Sequence, residues 1–187
     1  RVAKTNGPDG LLSSSNAVWS AKRNVFINNP MPIGISGISI ENTQPHATVQ
    51  ISVNNTPALN YGFTELTLFH QTGPDCNDVD ATDGNGDALF QRVYTGIDNV
   101  SHWQLNKPAN AVTFTVMGND SVEKTNRIYG VLMENDSPGV LYNMAGVNGA
   151  EFRHYNAARY FFEQSKYLAP NLIILSLGTN EALGGTI

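Results

Sequence analysis

The chain has 187 residues, with 11 Lys and Arg against 16 Asp and Glu, so its formal net charge is −5. This acidic balance, with no cluster of basic residues, argues against a protein that binds the phosphate backbone of nucleic acids. No apolar run approaches the roughly 20 residues of a membrane-spanning helix, so the sequence predicts no bilayer span. Hydrophobic residues make up 41% and charged residues only 14%, which is typical of a β-rich, surface-exposed protein with a sizeable core.

Alternating apolar and polar residues predict strand after strand up to about residue 135. The clearest runs are 49–53 and 112–116, where every second residue is Val, Ile or Phe. Weaker strand candidates are 24–28, 35–41, 63–70, 89–95, 101–105 and 127–134. Pro, Gly, Asn and Asp separate these runs, as they do in antiparallel folds. The pattern predicts a jelly-roll-like, antiparallel β-sandwich as the first of two domains, over residues 1–137.

The pattern changes at about residue 138. A short apolar run, a Gly-rich turn, a helical stretch and a second apolar run follow one another, at 139–143, 145–149, 151–168 and 171–177. The helical stretch is read as one helix or two short ones, and Pro170 ends it. Strand, helix and strand in this order predict a βαβ unit with parallel strands. Residues 138–187 are therefore interpreted as a second domain, a partial flavodoxin-like α/β unit.

Two turns of this predicted unit carry polar groups. Parallel strands point the same way, so the turns at 145–149 and 178–182 leave from the same end of the sheet, where ligands of open α/β sheets bind. Gly149 lies on the first turn and Asn180 on the second. A backbone N–H beside glycine and an Asn amide are donors of the kind that stabilise an oxyanion.

The same residues resemble a known family. Leu175-Ser-Leu-Gly-Thr-Asn-Glu-Ala182 resembles block III of the SGNH (GDSL-type) hydrolases, and Asn143-Met-Ala-Gly-Val-Asn-Gly149 resembles their block II. The stretch 168–182 is especially similar to the branch that removes acetyl groups from cell-wall or plant polysaccharides. Some members of that branch carry a carbohydrate-binding-like β-sandwich before block II. The resemblance, which covers about 138–187, implies an oxyanion hole made by the Gly149 backbone N–H and the Asn180 side chain.

Other parts of the family pattern do not occur in this chain. There is no Gly-Asp-Ser nucleophile motif and no Asp-x-x-His; Ser121 and Ser137 follow Asn-Asp instead, and neither comes after the first strand of the βαβ unit. The first residue is Arg1 rather than Met, so we interpret the chain as processed or cut from a longer protein. We expect the nucleophile and the Asp–His pair to lie outside these residues, in the missing remainder of the hydrolase domain.

The favoured interpretation is part of an extracellular or periplasmic SGNH esterase that deacetylates a polysaccharide or peptidoglycan, with an acetylated glycan or other small ester as substrate. The alternative is a non-catalytic carbohydrate-binding β-sandwich module, and a third interpretation is a structural cell-surface sandwich without a ligand. Trp103 is the preferred sugar-stacking residue, although Trp19, Tyr61, Phe69, Tyr94 and Trp103 can equally be core residues.

An acidic segment, 75–87, allows two interpretations. Asp83, Asn85 and Asp87 match alternate positions of a calcium loop, but Ala88 stands where an EF-hand needs Gly and the final Glu is missing. The segment is either a solvated loop between strands or a looser site for a structural Ca²⁺. No other cofactor is predicted, because the four His have no metal-ligand spacing, and His154 is expected at the surface.

Overall fold

The computed structural model describes residues 10–26, 31–53, 62–87, 90–93 and 98–183. These residues contain ten strands and three short helices. The strands are β1 Leu11–Ser14, β2 Ser20–Arg23, β3 Ile38–Asn42, β4 Thr48–Val53, β5 Phe63–His70, β6 Asp78–Asp83, β7 Phe90–Val93, β8 Val100–Ala109, β9 Ala111–Met117 and β10 Asn126–Glu134. The helices are α1 Phe152–Asn156, α2 Phe161–Tyr167 and α3 Thr179–Leu183. Within the described ranges, no helix is long and apolar enough to cross a membrane.

The strands form two antiparallel sheets that face each other. One sheet has four strands in the order β1-β4-β9-β6, and the other has six in the order β2-β3-β10-β5-β8-β7. Inward-facing residues of both sheets share one core, with Val112 and Phe114 from the smaller sheet against Leu66 and Trp103 from the larger one. The predicted antiparallel β-sandwich is therefore confirmed.

Most predicted strands are present, and the largest omission is β6. Asp78 and Asp80 are exposed on this strand, whereas Val79 and Ala81 are buried against the other sheet. The alternation that marks a strand was thus present in the acidic segment, although its Asp content favoured a loop. Of the predicted run 24–28, residues 24–26 are not in a strand, since β2 ends at Arg23, and residues 27 and 28 lie outside the described residues.

A second, smaller core covers the outer face of the six-stranded sheet. Phe69 meets Tyr167 edge-on with ring centroids 5.7 Å apart, and Tyr129 lies 5.2 Å from Tyr160. Tyr160 and Tyr167 belong to the helical segment, which forms the second of the two predicted alternatives, two short helices. The helices therefore pack on the sandwich, so the larger sheet is covered on both faces.

The expected βαβ unit is not formed within the described residues. Neither 139–143 nor 171–177 is a strand, and every strand pair is antiparallel. A strand exists only when a neighbour accepts and donates its backbone hydrogen bonds, and these two segments do not pair with each other. Their side chains are correspondingly exposed, with Val140 at 95% and Ile174 at 76%.

Gln164 anchors α2 to the sandwich. Its side chain is 1% exposed, and its Oε1 accepts the backbone N–H of Ile35 at 2.9 Å. The approach is close because Gly34 lies directly beneath: a Cβ there would collide with Gln164 Oε1 and come within 2.5 Å of Tyr129 Cβ. The helix can sit at this depth only over glycine.

We expect Gly34→Ala to destabilise the protein by about 1–3 kcal/mol, because the new methyl group overpacks the contact between α2 and the sheet. Urea unfolding followed by tryptophan fluorescence measures this change. Gly139→Ala is the matched control, since a Cβ at Gly139 meets nothing within 4 Å. Equal stability of the two variants would contradict the proposed docking of α2.

A buried histidine belongs to a hydrogen-bond network that joins the two sheets through Arg92 and Asp78. His70 is 1% exposed, and its Nε2 lies 2.8 Å from Ser101 Oγ. Arg92 donates to the same hydroxyl at 2.7 Å and forms a bidentate ion pair with Asp78 of the smaller sheet at 2.8 and 3.0 Å. Burial lowers the pKa of His70 from 6.5 to about 4, and the nearby Arg92 adds to this effect. His70 is therefore neutral at pH 7.

Because the pKa of His70 is lower in the folded than in the unfolded chain, the unfolded chain binds more protons between those two values. Stability should fall as the pH drops from about 6.5 towards about 4. We expect His70 to contribute about 2 kcal/mol to the loss between pH 7 and pH 4.5. Urea unfolding at both pH values, compared with His70→Gln, isolates this contribution; the exposed His46→Gln should behave as wild type.

Candidate functional site

The turns predicted to converge are in contact. The side-chain Nδ2 of Asn180 donates to the backbone carbonyl of Ala150 at 2.7 Å, one residue after Gly149. The next residue, Glu181, accepts the backbone N–H of Phe152 through Oε1 at 2.7 Å. The structure therefore brings the two sequence motifs together, although the segments before them, 139–143 and 171–177, are not strands.

Gly149 has the backbone conformation that its place in the turn requires. Its φ is +82°, in the left-handed region that residues with a Cβ seldom adopt. Ala150 N–H closes the turn by donating to Val147 O at 3.0 Å, and Ala150 itself is 2% exposed. The exposed Gly149 is thus presented to solvent by a turn whose following residue is anchored in the protein.

The amide of Asn180 can serve two partners. A primary amide carries two N–H donors, and Ala150 O takes one of them. The second N–H has no protein acceptor among the described residues and can donate to another group. Asn180 follows Gly178, whose φ is +116°, and Ala182 N–H donates back to Gly178 O at 3.1 Å. This bond is the first hydrogen bond of α3, so Asn180 reaches the first motif from the first turn of that helix.

His154 lies beneath the same turn and is 5% exposed, so the expectation of a surface residue was wrong. Its Nδ1 accepts the backbone N–H of Glu151 at 2.9 Å. A ring nitrogen that accepts carries no proton, so this bond selects the Nε2–H tautomer. His154 therefore caps the start of α1. Its place in the sequence, on a helix with many polar residues, did not indicate this role.

The two Asn-Asp-Ser sequences are turns. Asn119 Oδ1 accepts the backbone N–H of Ser121 at 2.8 Å, and Asn135 Oδ1 accepts that of Ser137 at 3.0 Å. Both are Asx turns, in which the Asn side chain replaces a backbone acceptor. Their similarity to a nucleophile motif thus has a local structural cause.

Exposed apolar side chains lie next to both motif turns in the chain. They lie in two stretches, next to Gly149 and before Gly178 in the chain, and comprise Val140, Leu141, Tyr142, Met144, Leu172, Ile173, Ile174 and Leu175. Four consecutive exposed aliphatic residues are unusual at a protein surface, and such a run is typical of a strand buried on both faces of a parallel sheet. This surface, which we call the apolar face, leads directly to Gly178 and Asn180.

The structure gives Asp83 a role in closing the acidic loop. Asp83 is 7% exposed, and its Oδ1 accepts the backbone N–H of Asn85 at 2.9 Å and of Asp87 at 2.8 Å. Over the part of the chain that the structure describes, no three His, Cys, Asp or Glu side chains are grouped to hold a metal ion. Calcium binding by Asp83, Asn85 and Asp87 stays a prediction.

Trp103 lies in the core and offers no sugar platform. It is 1% exposed, and its ring centroid lies 5.9 Å from that of Phe114 across the sandwich. Trp19 and Phe69 are likewise buried, while Tyr61 and Tyr94 lie outside the described residues. The position of Trp103 between polar residues suggested exposure, but on a strand those neighbours face the opposite side. Its assignment is corrected to core packing.

We expect Gly149→Ala to lower the free energy of unfolding by about 1 kcal/mol, because alanine resists a positive φ. Gly146→Ala, in the same turn, is the matched control; its φ is not in this region, and its Cβ would be 3.9 Å from the nearest atom. Urea unfolding of both variants checks this. An equal effect would show that the left-handed conformation of Gly149 is not maintained in solution.

Comparison of the sequence with protein-family models finds no match, and comparison with curated proteins finds none either.

Proposed function

We propose that this chain is part of a secreted SGNH-type esterase that removes acetyl groups from a polysaccharide or peptidoglycan by serine-dependent acyl transfer. The observation that carries the proposal is the 2.7 Å hydrogen bond between Asn180 Nδ2 and Ala150 O, which joins the block II and block III motifs. This bond sets the Asn180 amide beside Gly149. The Asn180 amide, one of the two donors that the family uses for an oxyanion hole, is thereby bound to the residue that follows Gly149, which would supply the other.

The chemistry follows from these donors. When a serine oxygen adds to the ester carbonyl, the carbonyl oxygen becomes negatively charged. The Gly149 N–H and the second Asn180 N–H stabilise that charge. The intermediate expels the sugar alcohol, which takes up the proton that the serine gave to the base, and water then releases acetate from the enzyme. The serine and the Asp–His pair come from the remainder of the hydrolase domain.

The apolar face supports the proposal that the remainder of the hydrolase domain lies outside these residues. Leu172, Ile173, Ile174 and Leu175 are each between 68% and 76% exposed, and burial of a side chain of this size stabilises by about 1.5–3 kcal/mol. Further strands of a parallel sheet would bury these four side chains and form hydrogen bonds with their backbone N–H and C=O groups. In the proposal, 139–143 and 171–177 become strands of a flavodoxin-like sheet when those strands pair with them.

The β-sandwich acts as an accessory domain in this proposal. The alternative, a carbohydrate-binding module without catalysis, has less support, because Trp19, Phe69 and Trp103 are all buried. In the esterase proposal, the hydrolase site recognises the acetylated glycan, and the sandwich is a rigid support for the hydrolase domain.

The test is hydrolysis of an aryl acetate by the protein as its source produces it. We expect turnover, and a fall in kcat of about 10²–10³-fold in Asn180→Ala, as for loss of one oxyanion donor. The matched control is Asn171→Ala, an exposed Asn in the segment before block III, which should keep wild-type kcat.

Two results would contradict the proposal. One is turnover that survives Asn180→Ala unchanged. The other is a source protein with an intact mass near 20.3 kDa that folds but hydrolyses no ester, since the remainder of the domain would then not exist.

A further inference from the structure

We propose that Glu181 is a positioning residue, whose carboxylate holds the turn that carries Gly149 in register with Asn180. The inference rests on the proposed esterase function and names how its oxyanion hole is built.

The geometry is a pair of hydrogen bonds of opposite polarity. Asn180 donates to Ala150 O at 2.7 Å, and Glu181 accepts from Phe152 N at 2.7 Å. Two adjacent residues of α3 thus bind two backbone groups on either side of Glu151. A shift of one residue between the segments would place donor against donor, so the pair permits a single register. With one bond alone, the segments could pivot about it.

The charge of Glu181 suits this contact. Phe152 is the first residue of α1, and the first N–H groups of a helix have no partner within the helix. The Glu151 carboxylate accepts the backbone N–H of His154 in a capping box and also binds Arg153 Nε at 2.7 Å, so the N–H of Phe152 is left for another acceptor. Glu181 therefore supplies the acceptor from a distant part of the chain. The bond from Phe152 N–H holds the pKa of Glu181 below its usual 4.5, so the carboxylate is ionised at neutral pH.

A positioning role has a kinetic signature. The oxyanion exists only in the transition state, so donors that no longer point at one position lower kcat and leave KM unchanged. A role in stability alone would reduce the amount of folded enzyme, and kcat per folded molecule would stay the same. Titration of the active sites, which gives kcat per folded molecule, distinguishes a positioning role from a role in stability alone.

The bond can be removed from either side. Glu181→Met keeps the volume of the side chain but removes the acceptor, whereas Phe152→Pro removes the donor. Proline is well tolerated at the first position of a helix, and Glu151 already has the extended backbone, φ −122° and ψ 166°, that a residue before proline needs. Glu181→Gln retains an acceptor oxygen at the same place.

The experiment measures aryl acetate kcat and KM in the esterase as its source produces it, per active site. We expect Glu181→Met and Phe152→Pro each to lower kcat by up to about 10²-fold at constant KM, the scale of a small misplacement of catalytic groups. The double variant should be no slower than either single one, since both break one bond. Glu181→Gln should recover most of the rate, and the exposed Glu163→Ala should match wild type.

A folded Phe152→Pro enzyme with wild-type kcat would overturn the inference, even if Glu181→Met does not fold. Additive losses in the double variant would also overturn it, because the two residues would then act separately. Asn180→Ala tells this failure apart from failure of the proposed function. If Asn180→Ala is slow and Phe152→Pro is fast, only the role of Glu181 is wrong; if Asn180→Ala is also fast, the oxyanion hole itself is wrong.

Discussion

The packing of Tyr160 and Tyr167 on the outer face of the six-stranded sheet determines where the rest of the C-terminal segment lies. Tyr129 and Phe69 offer apolar area there that the four-stranded sheet cannot cover, since it already occupies the opposite face. The helices cover this second face, and Gln164 fixes their depth by binding Ile35. Once α1 and α2 are packed on the sheet, the turn that ends at Ala150 is fixed in place, and α3 can form hydrogen bonds with it.

The sandwich was predictable because its information is local. Alternation in 49–53 and 112–116 specifies which face of each strand is buried, and short turns between strands favour antiparallel pairing. Strand β6 was missed because Asp at exposed positions resembles a loop, and Trp103 was misjudged because one residue cannot show which face of its strand is inside.

The motif turns illustrate a different limit. Their contact was anticipated through a parallel sheet, and the contact exists, but side-chain hydrogen bonds from Asn180 and Glu181 produce it. Pairing of 139–143 with 171–177 could not be judged from the two segments alone, because a strand depends on neighbours in space as well as on its own residues. Burial of His154 and the anchoring by Gln164 were likewise invisible, since both depend on contacts made after the helices dock.

The bond between Ile35 and Gln164 spans 129 positions of the chain, and this separation matters for dissecting the protein. A cut near residue 138 looks natural from composition, yet it would strip the helices from the sheet and leave Phe69 and Tyr129 facing water. Fragments made for expression should therefore keep the sandwich and the helical segment through Leu168 together. Contacts that link such distant residues also form late in folding, because a long loop must close first. The nascent sandwich is thus completed only after its C-terminal cover has been synthesised.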